Sequence, residues 1–136
     1  PSSFIQAIKA ERTFWEKATI LHQEAHRPEN KPQPIRHSRH YYDTARMAQS
    51  KVRKTALNNI ELLYSVVNFK KKFYPQRWAK YDLAVPGTFK LIPPTHTLAI
   101  LEKDYRAMEE MIYGEIPTLN EIMEVLKELE VEITML

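Results

Sequence analysis

The sequence predicts a mainly α-helical domain with room for one or two short strands. Apolar residues recur at the three- and four-residue spacing of helix faces through most of the chain. Capping-box pairs and prolines mark where these helices begin and end. A length of 136 residues suits a single domain with an ordinary hydrophobic core, so we treat residues 1–136 as one unit.

The first clear helix has one apolar face, formed by Phe14, Ala18, Leu21 and Ala25. The pair Thr13 and Glu16 matches a capping box, which predicts that the helix begins near Thr13. Pro28 ends it. The apolar run at residues 4–8 is too short for periodicity to decide between a strand and the start of a helix.

Prolines and polar residues predict a loop over residues 27–38. The next helices are expected at His40–Ser50 and Thr55–Phe73, and Pro75 stops the second of them. Residues 75–95 are expected to be irregular because Pro86-Gly87 and Pro93-Pro94 interrupt them.

Within that irregular part, Thr88–Ile92 is the candidate for a short edge strand. A further helix is predicted at Leu98–Tyr113, with Gly114 as the residue that follows its C-terminus. A capping box at Thr118 and Glu121 predicts the start of the last helix.

Composition excludes several classes of protein. The chain has no Cys, which excludes disulfides and thiolate metal sites. Its 2 Gly are too few for a P-loop or a GxGxxG loop. No apolar run approaches the roughly 20 residues that a membrane helix needs, and no signal peptide is recognisable. We therefore expect a soluble, cytoplasmic protein with no membrane partner.

Charge is divided unevenly along the chain. Residues 1–80 contain 16 Lys and Arg against 6 Asp and Glu, whereas residues 81–136 contain 4 against 11. A basic first part indicates a surface that faces a polyanion. The alternative is that the two parts neutralise each other within the fold.

Lys17, Arg39 and Asp43 are the strongest candidates for a chemical site. Arg39 and Asp43 are four residues apart on a predicted helix and can project together. A Lys and an Arg aimed at one point can hold a triphosphate, and a nearby carboxylate can assist the chemistry. The alternative is an ordinary salt bridge on a helix surface.

Two histidine motifs give weaker signals. His22 and His26 have the spacing of two metal ligands on one helix, but no third ligand is evident, so no metal site is predicted. Ser38 lies between histidines, but nothing in the sequence supplies an oxyanion site for a nucleophile. We interpret that stretch as a polar loop.

Lys70 begins a run of three lysines flanked by Phe69, Phe73 and Tyr74. Basic residues interleaved with aromatic residues can hold a nucleic-acid backbone while the bases stack. The alternative is a solvated helix end, where lysines complement the helix dipole.

Several stretches resemble one protein family. They are ERTFWEK (residues 11–17), LH (21–22), SRHYYD (38–43), WAKYDLAVPGTFKLIPP (78–94) and DYRAMEEMIYGEIP (104–117). In this order they resemble the C-terminal part of the AbiEii/AbiGii-type nucleotidyltransferases, toxins of abortive-infection and toxin–antitoxin systems. The resemblance spans most of the chain.

The resemblance implies a two-part enzyme that uses Mg²⁺ and an NTP. In it, Lys17 and Arg39 are expected to grip the triphosphate, and Asp43 is expected to be a catalytic carboxylate. Beyond what the resemblance implies, we expect Lys70 and its neighbours to bind or steer phosphate groups, and Glu16 and His22 to support the site. The expected partners are the NTP, an RNA or protein acceptor, and an antitoxin.

The sequence departs from the family pattern at two points. His40 stands where many relatives have an Asp, and the Gly-Ser and Asp-x-Asp motifs of the metal-binding half do not occur in the chain. We therefore expect no turnover, and no bound cofactor, from this C-terminal part alone.

Two alternatives belong to other functional classes. The chain could be a stand-alone helical module that binds nucleic acid or a partner protein through its basic half. It could also be a structural piece that forms a homodimer through an uncovered N-terminal segment, where Phe4, Ile5 and Ile8 are apolar.

Overall fold

The computed structural model describes residues 2–136, which form α-helices, short 3₁₀ turns and no strand. The helices are α1 (Ser2–Ala25), α2 (Ser38–Ala48), α3 (Val52–Leu57), α4 (Ile60–Phe73), α5 (Leu98–Glu109) and α6 (Leu119–Thr134). The 3₁₀ turns are Arg77–Ala79, Tyr81–Leu83 and Thr95–Thr97. The predicted mainly α class is confirmed. Across residues 2–136, no helix is both long and apolar enough to cross a membrane.

Helix α1 is longer than the sequence predicted. It begins at Ser2, so the apolar run at residues 4–8 is helical and is not a strand. The predicted start near Thr13 is wrong, because Thr13 lies in the middle of the helix. Glu16 forms no cap; its carboxylate instead pairs with Arg12, with Nε and Oε1 3.3 Å apart.

One face of α1 provides the centre of the core. Its completely buried apolar side chains are Phe14, Trp15, Ala18 and Leu21. The Nε1–H group of Trp15 donates a hydrogen bond of 2.9 Å to the carbonyl oxygen of Ala56 in α3, which satisfies a buried donor. Helix α1 also packs against α2 and α4, so it forms the axis around which the first half of the chain folds.

Helix α2 lies between two parts of the molecule, because it packs against α1 and also against α5 and α6. It begins at Ser38, two residues earlier than predicted, and ends at Ala48. Asp104 of α5 accepts hydrogen bonds from the backbone N–H groups of Arg36 and Ser38 and from the Ser38 hydroxyl. A carboxylate here satisfies N–H groups that a helix leaves free at its N-terminus.

The predicted helix at Thr55–Phe73 is divided into α3 and α4. The break lies at Asn58 and Asn59, where the backbone of Asn59 turns to φ −126° and ψ 66°. The Asn59 side-chain amide donates to Glu11 Oε2 at 3.2 Å. Asn readily leaves the helical conformation when its side chain has such a partner, which explains the break.

Of the two helix boundaries predicted near the C-terminus, the end of α5 is wrong and the start of α6 is right. Helix α5 ends at Glu109, four residues earlier than predicted, and Gly114 adopts a positive φ of 89° in the loop beyond it. The predicted start of α6 is confirmed. Thr118 Oγ1 accepts from the Glu121 N–H group and Glu121 reaches back to Thr118, which completes the capping box.

The predicted edge strand at Thr88–Ile92 does not form. Two of its backbone N–H groups have side-chain partners in place of a neighbouring strand: Lys90 donates to His22 Nδ1 at 3.0 Å, and Leu91 donates to Glu130 Oε2 at 3.0 Å. The buried side chains of Phe89 and Leu91 anchor this segment to the helical core. An extended segment needs such partners when no strand lies beside it.

Candidate functional site

Lys17, Arg39 and Asp43 lie together on the surface between α1 and α2. Lys17 Nζ is 3.1 Å from Asp43 Oδ2, and Arg39 Nε is 3.0 Å from Asp43 Oδ1. We call these three residues the charged cluster. Two cations therefore meet one carboxylate, each at a different oxygen, and the cluster carries one excess positive charge.

The packing of α1 on α2 creates this juxtaposition. Ala18 is completely buried beside Lys17 in the chain, and Tyr41 and Tyr42 are buried on α2 just before Asp43. Burial of these neighbours fixes how the two helices meet, because a packed core resists rotation of either helix. Lys17 and Asp43 are left at the edge of the contact, where their side chains are 28% and 24% exposed.

Tyr42 supports the Arg39 side of the cluster. The guanidinium carbon of Arg39 lies 5.6 Å from the centre of the Tyr42 ring, and that of Arg46 lies at the same distance. Arg46 also donates to the Tyr42 hydroxyl at 2.9 Å. The ring thus gives Arg39 a favourable cation–π contact beside Asp43.

A buried ion pair that the sequence analysis missed connects α1 to the loop before α2. Glu24 is 1% exposed, and both of its oxygens accept from Arg27, at 2.7 and 2.9 Å. His37 Nε2 lies 3.1 Å from Glu24 Oε1. Burial raises the pKa of Glu24, but the contacts from His37 and Arg27 outweigh it and lower the pKa to about 2.

His40 lies between this buried pair and the charged cluster. Its ring packs edge-on against His37, with centroids 4.8 Å apart. Its Nδ1 atom is buried and has no hydrogen-bond partner within residues 2–136. Burial lowers the pKa of His40, and His37 and Lys17 lower it further, although the carboxylates of Asp43 and Glu24 oppose the shift. The environment of His40 beside Asp43 therefore favours the neutral ring.

His22 lies apart from the charged cluster and has a structural environment. Its Nε2 is 2.8 Å from the Lys80 carbonyl oxygen, and its Nδ1 accepts from the Lys90 N–H group at 3.0 Å. Only the neutral ring with its proton on Nε2 satisfies both contacts. Burial lowers the pKa of His22 to about 4, although the Lys80 carbonyl opposes the shift.

The histidine pair does not form a metal centre. Both nitrogens of His22 have backbone partners, and His26 Nδ1 lies 2.9 Å from the carbonyl oxygen of His22. Among residues 2–136, no group of three or more His, Asp or Glu side chains is arranged to hold a metal ion.

Glu16 of α1 and Lys70 of α4 lie apart from the charged cluster. They line a groove of about 360 Å³ between α1 and α4, together with Arg12, Val66, Phe69 and Tyr74. Burial lowers the pKa of Lys70, and the carboxylate of Glu16 opposes that shift. Lys70 is thus a half-buried cation in a groove, separate from the charged cluster.

An exposed aromatic patch borders this groove. It consists of Phe69, Phe73 and Tyr74, which are 45%, 56% and 65% exposed. The rings of Phe69 and Phe73 lie 4.7 Å apart between centroids. Arg12 lies 6.0 Å from the centre of the Phe69 ring, and Lys72 lies 5.4 Å from that of Phe73.

Comparison with known proteins gives a match to a protein-family model. Neither the curated proteins nor the solved structures include a significant match to this chain. The model of one protein family, described as the nucleotidyl transferase AbiEii toxin of a type IV toxin–antitoxin system, matches residues 1–128. That match covers nearly all of the 136 residues. The chain therefore belongs to the AbiEii nucleotidyltransferase toxin family.

Proposed function

We propose that this chain is the triphosphate-gripping, helical C-terminal part of a nucleotidyltransferase that transfers a nucleotide from an NTP to an RNA or protein acceptor. The observation that carries the proposal is the approach of Lys17 and Arg39 to one carboxylate, Asp43, at 3.1 and 3.0 Å. Family membership supports the reaction class.

The proposed roles follow from the chemistry of the transfer. An acceptor hydroxyl attacks the α-phosphate of the NTP, and pyrophosphate leaves. Negative charge develops on the departing phosphates, and Lys17 and Arg39 are suited to stabilise it because both are cationic hydrogen-bond donors. Asp43 is the carboxylate placed to receive or orient the hydroxyl proton.

Residues 2–136 do not fit the Mg²⁺ that the family implies. Within residues 2–136, Asp43 is the one carboxylate of the charged cluster, and both of its oxygens accept from cations. Asp82 pairs with Lys71, and Asp104 caps α2. Mg²⁺ prefers several oxygen ligands in octahedral geometry, which these carboxylates do not provide. Because nucleotidyl transfer depends on the metal, we propose that these residues alone do not turn over NTP.

Three other residues have supporting roles in the proposal. His22 keeps α1 in place through its two backbone contacts, to Lys80 and Lys90. Lys70 steers a polyanionic substrate along the groove, and the carboxylate of Glu16 opposes the fall of the Lys70 pKa that burial causes.

The direct test joins this chain to a family metal-binding half that carries the Asp-x-Asp pair. We expect the joined protein to transfer label from an α-³²P-labelled NTP mixture. Lys17→Ala should lower the rate by about 100-fold or more, the order of magnitude for loss of a charge-stabilising donor. Lys71→Ala is the matched control, because Lys71 pairs with Asp82 on the surface. A wild-type rate for Lys17→Ala would remove Lys17 from the mechanism.

A second candidate function is nucleic-acid binding through the aromatic patch. Three exposed rings beside Arg12, Lys70 and Lys72 suit stacked bases with their phosphates. Binding through phosphate contacts should weaken steeply as salt rises, whereas a salt-independent interaction would favour a protein partner.

Further parts of the proposal concern partners and location. The family description supports an antitoxin partner, and we place the protein in the cytoplasm, where NTPs and RNA are available. A homodimer through Phe4, Ile5 and Ile8 would use an exposed helix face, because α1 includes these residues. Sedimentation as a clean monomer would exclude that homodimer.

A further inference from the structure

The two cations of the charged cluster are not free in the resting chain. Asp43 Oδ2 accepts from Lys17 Nζ, and Asp43 Oδ1 accepts from Arg39 Nε. One carboxylate therefore engages both of the groups to which the proposed function assigns the triphosphate.

A carboxylate and a phosphate group present similar ligands to such a pair. Each offers two oxygens at short spacing, and both are recognised by Lys and Arg through charge-assisted hydrogen bonds. A polyphosphate carries more negative charge than a single carboxylate, so an excess of polyphosphate can displace Asp43 from Lys17 and Arg39. Binding then exchanges one set of ion pairs for another.

The exposure of Arg39 lowers the cost of the exchange on its side of the cluster. Arg39 is 56% exposed, so water screens its attraction to Asp43, and an ion pair at such a surface position contributes little to stability. Lys17 and Asp43 are 28% and 24% exposed, so water screens their pair only in part. The guanidinium of Arg39 also lies 5.6 Å from the centre of the Tyr42 ring, a cation–π contact that does not involve Asp43.

We infer that Asp43 is an internal competitor for phosphate: it occupies Lys17 and Arg39 in the resting chain, and an incoming polyphosphate displaces it. This inference rests on the proposed function, because it assigns the same two cations to the triphosphate. It adds a form of regulation of Asp43 itself. The Asp43 oxygens become free to accept new hydrogen bonds only when phosphate groups have replaced Asp43 as the partner of Lys17 and Arg39.

The test measures the binding of inorganic tripolyphosphate to the 136-residue chain by titration calorimetry at low salt. Asp43→Asn keeps the shape of the side chain and removes its charge. It should bind tripolyphosphate about three- to tenfold more tightly than the wild type, the range expected for release of one exposed and one partly buried ion pair. Adding Lys17→Met to Asp43→Asn should abolish the gain.

The matched control is Asp82→Asn. It changes the net charge by the same amount, but Asp82 pairs with Lys71 outside the cluster and is 89% exposed. Its affinity should equal that of the wild type. An equal gain for Asp82→Asn and Asp43→Asn would reduce the effect to net charge and overturn the inference.

Two further outcomes separate the inference from the proposed function. If Lys17→Met weakens binding but Asp43→Asn does not strengthen it, Lys17 and Arg39 hold phosphate without a competitor, and the inference fails alone. If neither Lys17→Met nor Arg39→Gln changes binding, the proposed triphosphate grip fails, and the inference fails with it. Thermal melts check folding, and Asp43→Ala serves as a second charge-removing variant.

Discussion

Lys17 Nζ and Asp43 Oδ2 lie 3.1 Å apart, although the two residues are separated by 26 positions and belong to different helices. Arg39 joins them from the first turn of α2. The loop at residues 26–37 therefore has to set the position of α2 along α1, since a shift of one helical turn would separate Lys17 from Asp43. Two sets of contacts hold this loop and the start of α2: the ion pair of Glu24 with Arg27, and the hydrogen bonds that Asp104 accepts.

Glu24→Gln should destabilise the protein by about 3 kcal/mol, because it leaves Arg27 buried without its carboxylate. Glu24 is 1% exposed and Arg27 is 10% exposed, so water cannot compensate. Chemical denaturation measures the change. Glu124→Gln is the control: its pair with Lys127 is exposed on both sides, and its loss should cost less than about 1 kcal/mol. Equal effects of the two substitutions would contradict a structural role for Glu24.

Removal of the α2 cap should also lower stability. Asp104→Ala removes the acceptor for the Arg36 and Ser38 N–H groups, which should cost about 1–2 kcal/mol. Burial raises the pKa of Asp104, but hydrogen bonds from Ser38 and Arg36 outweigh it, so the pKa lies below its usual value. Thermal unfolding checks this, with Asp82→Ala as the exposed control. A melting temperature equal to that of the wild type would show that α2 does not need this cap.

Stability should fall as the pH is lowered from 6.5 towards 4 because of His22. Its pKa is 6.5 when unfolded and about 4 when folded, so the unfolded chain binds a proton first and the free energy of unfolding decreases in this window. The fall attributable to His22 should be about 3 kcal/mol at pH 4. His22→Gln keeps a neutral amide and should remove this part of the slope. An unchanged slope in that variant would assign the acid sensitivity to other groups.

Substitutions in the aromatic patch should affect binding and leave stability nearly unchanged. Tyr74 is 65% exposed and Phe73 is 56% exposed, so Phe73→Ala with Tyr74→Ser should change the free energy of unfolding by less than about 1 kcal/mol. If the patch stacks bases, the same pair should weaken binding of a fluorescent single-stranded oligonucleotide by about tenfold or more. Unaltered oligonucleotide binding would rule out the patch as a stacking surface.

The local sequence pattern was sufficient to predict most helices and one of the two ion pairs in the charged cluster. Arg39 and Asp43 are four residues apart on one helix, so their contact is a property of helix geometry. The approach of Lys17 depends on how α1 packs on α2, which spacing does not encode. Lys17 was a candidate because a Lys and an Arg aimed at one point can hold a triphosphate, and the resemblance to the family implied the same role for it.

The elements that sequence analysis missed depend on tertiary partners. The prediction of an edge strand at Thr88–Ile92 was wrong because side chains of His22 and Glu130 accept hydrogen bonds from two of its N–H groups. The break before α4 follows from the bond between Asn59 and Glu11. The spacing of Glu24 and Arg27, three residues apart, could have predicted their ion pair. Nothing in the local sequence indicated that the pair would be buried.

The most direct test of the account is a titration of the ¹⁵N-labelled chain with an NTP, without metal, followed by NMR. We expect the backbone signals of Lys17, Arg39 and Asp43 to shift most, with loss of these shifts in Lys17→Met. Shifts confined to the aromatic patch, or to any region that excludes these three residues, would contradict the assignment of the triphosphate to the charged cluster.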